Sequence, residues 1–152
     1  MRTFTFATES GLIINANLSR VSFIDIDEDV NLIDFNFTNC TSPARFKVSN
    51  DVIERLRNQL ANNKFFYKTN LVIHEDNEDG FGDYFINLNE VQMIETYNLA
   101  DQNRKIVVFH FNHEKEVTLC FDLYADDRVL TACDDCGFTQ SEYESILARL
   151  AG

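Results

Sequence analysis

A chain of 152 residues that is 45% hydrophobic and 12% aromatic has the size and composition of one ordinary domain or two small lobes sharing a core, and it should fold without disulfide or metal staples. Its 13 Lys and Arg against 25 Asp and Glu leave a formal net charge of -12, which repels phosphate backbones and anionic lipid and argues against direct nucleic-acid or membrane-surface binding. The opening MRTFTFATES lacks the apolar run of a secretory signal, and no stretch approaches the roughly 20 apolar residues of a membrane span; a cytoplasmic protein is expected, in which the sequons at Asn17, Asn36 and Asn39 are chance occurrences.

Thr3 to Ala7 alternates Thr and Phe, and Glu9-Ser10-Gly11 turns the chain into Leu12 to Asn15, so it should open with a β-hairpin. Leu18, Val21, Phe23 and Ile24 then supply the buried side of a strand, and Asp25 to Asp29 reads as an acidic turn. In Leu32 to Thr38 the residues Ile33, Phe35 and Phe37 alternate with Asp34, Asn36 and Thr38, the period of a half-exposed strand. A loop with the single proline, Pro43, leads to a short strand over Phe46 to Val48. Ser49 or Asn50 can cap a helix over Asp51 to Ala61 that sets Val52, Ile53, Leu56 and Leu60 on one face and stops at Asn62-Asn63.

The second half follows the same order with longer connections. Phe65 to His74 is a strand, Glu75 to Gly82 an acidic turn, and Tyr84 to Leu88 and Glu90 to Tyr97 are strands. Ile106 to Phe111 and Glu116 to Leu123 follow, then an insertion from Tyr124 to Phe138. A last helix has Thr139 with Glu142, or Ser141 with Glu144, as its capping box and Tyr143, Ile146, Leu147 and Leu150 as its stripe. At a constant offset of 70, Asn17, Leu18, Val21, Ile24 and Asp25 align with Asn87, Leu88, Val91, Ile94 and Glu95. The pattern INL-x-x-V-x-x-I-E between strands resembles small flagellar-operon proteins of the FlbD type over about a dozen residues, and no site or activity is carried over from it. The expected class is α+β, internally duplicated, with two antiparallel β-rich units each closed by one amphipathic helix. Residues 1–62 and 63–152 would be those units, packed as one body with pseudo-twofold symmetry, either with the helices between two sheets or with sheet edges joined into one ribbon.

Candidate sites are sparse. Cys133-Asp-Asp-Cys136 has zinc-knuckle spacing, but the remaining donors are His110, His113 and Cys120, and the two histidines face opposite sides of a strand. A pair of reduced cysteines in a loop is the expectation, with Cys40 and Cys120 as buried small hydrophobes. Glu75 to Asp83 resembles a calcium loop, yet the position that requires a bidentate Glu is Ile86. His74, His110 and His113 have no nucleophile, phosphate loop or H-x-E element beside them, so no catalytic residue and no cofactor is assigned.

The acidic clusters stand out. Asp25, Asp27, Glu28 and Asp29 form one, Asp76, Glu78 and Asp79 another, and Asp126, Asp127, Asp134 and Asp135 a third. Solvated turns account for such runs, and spaced carboxylates can also mimic phosphates and steer association with a basic surface. The leading expectation is therefore a non-enzymatic inhibitor or adaptor for a protein partner with a basic, nucleic-acid-binding surface, of the kind phages deploy against host defences. The alternative is a small-ligand or nucleotide module, with Phe65, Phe66, Tyr67, Tyr97 and Tyr124 offering rings and Arg45, Lys47 or Arg104 meeting a phosphate. An enzyme with residues converging from distant segments is third. Exposed edge strands suggest a homodimer.

Overall fold

The computed structural model describes residues 3–38, 40, 42–73, 79–99, 104–111, 118–125 and 137–151, with the side chains of 69–73, 79–82, 99 and 118 left out. The order is β1 (Thr3–Ala7), β2 (Ile13–Asn17), a 3-10 turn (Leu18–Arg20), β3 (Val21–Asp27), β4 (Leu32–Phe37), β5 (Ala44–Lys47) and α1 (Asn50–Ala61). It continues with β6 (Phe66–Ile73), β7 (Asp79–Asn87), a second 3-10 turn (Leu88–Glu90), β8 (Met93–Leu99), β9 (Arg104–His110), β10 (Thr118–Tyr124), β11 (Gly137–Thr139) and α2 (Gln140–Ala151). The protein is α+β, mostly sheet, with two helices among the described residues, neither long and apolar enough to cross a membrane.

Local chemistry explains the boundaries. Gly11 turns β1 into β2 at φ +91°, where a Cβ is strained. Each 3-10 turn begins at an asparagine with nearly the same backbone, φ -82° and ψ 99° at Asn17 and φ -80° and ψ 103° at Asn87. Each of these side chains accepts from the amide two residues on, at 3.1 Å in both cases. Ser49 caps α1 by accepting from the Val52 amide. Thr139 and Glu142 form the reciprocal box at the start of α2, with the Thr139 amide donating to Glu142 Oε1 and the Glu142 amide to Thr139 Oγ1.

Strands β1 and β2 form a separate antiparallel pair, while β3 to β11 form one nine-stranded sheet in the order β5-β4-β3-β7-β6-β10-β9-β8, with β11 parallel to β10. The pairing of β3 with β7, inside the sheet, joins the first half to the second. Successive side chains on a strand face opposite ways, and here the two faces carry different cores. Ile24, Ile26 and Phe85 pack with Val52, Ile53, Leu56 and Leu60 of α1 and with Phe4 and Phe6 of β1. Their neighbours Phe23, Tyr84 and Ile86 belong to a second cluster with Phe109, Phe121, Phe138 and Ile146 of α2. The helices therefore lie on opposite faces of a continuous sheet rather than between two sheets. A register shift between Val21 and Phe23 departs from that alternation, sending Val21 to the first core and Phe23 to the second although they are two residues apart.

Several expectations need correction. Asp25 and Asp27 lie within β3, and the turn starts at Glu28, because Ile24 and Ile26 are fully buried and carry the strand onward. Asp79, Gly80 and Gly82 are in β7 and Asp79 pairs with Ile73, so the described part of the Glu75–Gly82 segment is strand. Phe46 belongs to a strand that ends at Lys47, and Val48 is buried ahead of the α1 cap. Cys40 is exposed, whereas Cys120 is buried as expected. In α2 only Ile146 is fully buried, and Leu147 is 39% exposed.

Candidate functional site

Pairing across four strands builds a row of polar side chains on one sheet face. Arg45 of β5 is opposite Asp34 of β4, Asp34 is opposite Asp25 of β3, and Asp25 is opposite Tyr84 of β7. Arg45 grips Asp34 with both edges of its guanidinium, Nε to Oδ1 at 2.8 Å and a terminal nitrogen to Oδ2 at 3.0 Å. Asp25 has a poorer environment. The Tyr84 hydroxyl donates to it, but its Oδ1 is buried without a hydrogen-bond partner. Burial, followed by the like charges of Asp34 and Asp27, pushes the Asp25 carboxyl up to about 7, against the opposing pull of Tyr84 and Arg45. Burial and the adjoining Asp25 likewise raise the Tyr84 phenol. Asp25 is thus a carboxyl that exchanges its proton near neutrality, which no sequence feature announced: the pattern showed an acidic run but not that one member faces another carboxylate across a ladder.

The remaining acidic residues divide. Asp27 is half-buried at the end of β3, and Glu28 and Asp29 are exposed in the turn beyond it. The Asp29 amide donates to Asp27 Oδ1 at 3.2 Å, and Glu28 meets Arg57 of α1 at 3.2 Å. Arg57 also contacts Asp83 at 2.5 Å and Glu54 at 3.5 Å, so it ties α1 to both β7 and the turn. Asp76, Glu78, Asp126, Asp127, Cys133, Asp134, Asp135 and Cys136 lie outside the described residues, as do His74 and His113. His110 Nε2 is 2.6 Å from Glu95 Oε1. Among the described residues no three His, Cys, Asp or Glu side chains converge on a possible metal position.

The residues expected to meet a phosphate are engaged elsewhere. Arg45 holds Asp34, Lys47 lies 3.8 Å from Glu9, and Arg104 holds Asp122 at 2.7 Å. Phe66 is buried in the first core and Tyr67 packs edge-on against Phe138, so neither is a free platform. Phe65 is different, with 42% of its surface exposed. It lines a groove of about 890 Å³ between the two 3-10 turns and the end of α1, with Gln59, Asn62, Asn63, Lys64 and Asn89. A smaller recess of about 540 Å³ shares Lys64, Phe65 and Asn89 and extends to Arg149 of α2. Asn62 and Asn63 read in the sequence only as a helix stop, and their place beside Asn89 depends on the folding of residues far apart in the chain. Comparison with protein-family models, with curated proteins and with solved structures found no match.

Proposed function

We propose that this chain is a non-enzymatic binding protein that offers the acidic end of β3 and the turn after it to a protein partner with a basic surface. The observation that carries the reading is the disposition of Asp27, Glu28 and Asp29. They follow one another out of the sheet, and no described cation pairs with Asp27 or Asp29. Carboxylates held this way in a chain of net charge -12 give a negative field that speeds encounter with a cationic surface and weakens with salt. We further propose that the chain arose as a repeated unit of hairpin, 3-10 turn, three strands and helix, on the strength of the matching Asn17 and Asn87 turns. A homodimer would place a second copy along β8, the last strand of the sheet, where Met93 and Tyr97 are 51% and 44% exposed.

The test compares the protein with an Asp27→Asn, Glu28→Gln, Asp29→Asn variant as immobilised bait at low salt, followed by a salt-gradient elution. The expected result is a basic protein retained by the first bait, lost from the second and eluted by moderate salt. Equal retention by both baits would refute the reading. A small-ligand module is the second reading, favoured by the groove at Phe65, whose lining among the described residues contains no carboxylate.

A further inference from the structure

We infer that the groove beside Phe65 is a binding site for a small anion carrying a planar ring, of the mononucleotide class, with the ring on Phe65 and the anionic group at Lys64. This rests on the small-ligand reading and names its site. The first support is charge. Asp and Glu make up 25 of 152 residues, yet among the described residues neither type lines the groove or the recess that continues it, whereas Lys64 lines both and Arg149 the recess. Neither cation is paired with a carboxylate among the described residues. Lys64 instead sits over the Phe65 ring at 5.1 Å, and Arg149 donates to the Lys64 carbonyl and lies over Tyr67 at 5.7 Å.

The second support is the set of hydrogen-bonding groups left available. Gln59 donates to the Thr3 carbonyl and Asn62 to the Asn58 carbonyl through their amide nitrogens, which leaves both amide oxygens turned to no described donor. Asn63 accepts from the Phe65 amide through Oδ1, and among the described residues no hydrogen bond engages its Nδ2 or the Asn89 side chain. A carboxamide that offers both donor and acceptor matches the edge of a nucleobase. The third support is the half-exposed Phe65 itself, since base stacking on such a ring is a main source of affinity for nucleic-acid components. The carbonyl end of α1 nearby would repel an anion if left bare. It is capped by the Asn62 amide and side chain on Asn58 and by the Asn63 amide on Leu60.

The test is calorimetric titration of the whole chain with AMP, GMP, CMP and UMP, and with adenosine and inorganic phosphate as the two halves of such a ligand. At least one mononucleotide should bind, with both halves weaker by about tenfold or more. Phe65→Leu, which keeps bulk without a planar face, and Lys64→Gln should each weaken it by about tenfold, while Lys47→Gln, outside the groove, should leave it unchanged. Far-ultraviolet circular dichroism shows whether each variant is folded. If no mononucleotide binds at millimolar concentration, the small-ligand reading itself fails. If one binds but both groove variants bind equally well, the ligand is real and this site is wrong. Phosphate binding as tightly as the nucleotide would overturn the role of Phe65.

Discussion

The side chain of Asn87 donates through Nδ2 to the Val21 carbonyl at 2.9 Å, so the cap of the second 3-10 turn is also a clasp on the first strand after the first turn. Its counterpart at the offset of 70, Asn17, is exposed and spends its Oδ1 on Ser19, at 3.1 Å to the amide and 2.6 Å to the hydroxyl. Two asparagines with the same backbone and the same local job thus differ in reach. Only Asn87, 2% exposed, links residues 66 apart in the chain.

Asn87→Ala is therefore expected to destabilise by about 2–3 kcal/mol, because it removes a cap and leaves the Val21 carbonyl without its side-chain donor. Asn17→Ala should cost only about 0.5–1 kcal/mol. Urea denaturation of the two variants checks the ranking, and equal losses would show that the clasp contributes nothing.

Asp25 should make stability fall as pH rises. Its folded value of about 7 stands above the 3.8 of an unperturbed carboxyl, so the folded state binds the extra proton. The associated stability is fully present below about 3.8 and is lost as pH passes through about 7. Asp25→Asn keeps an acceptor for the Tyr84 hydroxyl and turns a donor toward Asp34. At pH 8 it should stabilise by about 1–3 kcal/mol after discounting for solvent screening, with the gain vanishing toward pH 4. Thermal unfolding of both proteins across that range reads this directly, and a gain independent of pH would assign the effect to packing.

Asp34→Asn tests the cause of that behaviour. Asp34 is the larger of the two like-charge contributions to the Asp25 shift, and it also occupies Arg45. Removing its charge should lower the Asp25 titration midpoint in carboxyl-detected NMR, by about one pH unit. An unmoved midpoint would leave burial and the Asp27 charge as the causes.

Gly137→Ala should be among the more damaging small substitutions. A Cβ there would collide with the Asp122 carbonyl oxygen and come within 2.8 Å of the Tyr124 ring. The parallel pairing of β11 with β10 depends on that close approach. A loss of about 1–3 kcal/mol is expected in chemical denaturation, and a neutral result would show that β11 can move away from β10 without cost.

Short-range chemistry made much of the fold readable. The Phe-rich alternation of β1 and β4, the Ser49 cap, the Thr139–Glu142 box and the apolar face of α1 all follow from neighbours in sequence, and each appears as the periodicity implied. The place of Asp25 is hidden for the opposite reason. A run of carboxylates looks like a turn, but Ile24 and Ile26 bury a strand through it, and that depends on Phe85 from a different half of the chain. The groove was hidden by the same distance effect, since Gln59 and Asn89 become neighbours only after β3 pairs with β7.

The one-residue irregularity at Ser22 has a wider consequence. With Val21 turned to one core and Phe23 to the other, β3 works as a parity change, whereas β7 alternates regularly, with Phe85 in the first core and Ile86 in the second. Each half then supplies most of one interior and lacks a piece of it, Phe66 and Phe85 for the first core and Phe23 for the second. A chain severed between Asn62 and Asn63 would behave as a pair of complementing fragments, each with a wet flank that only the other can dry.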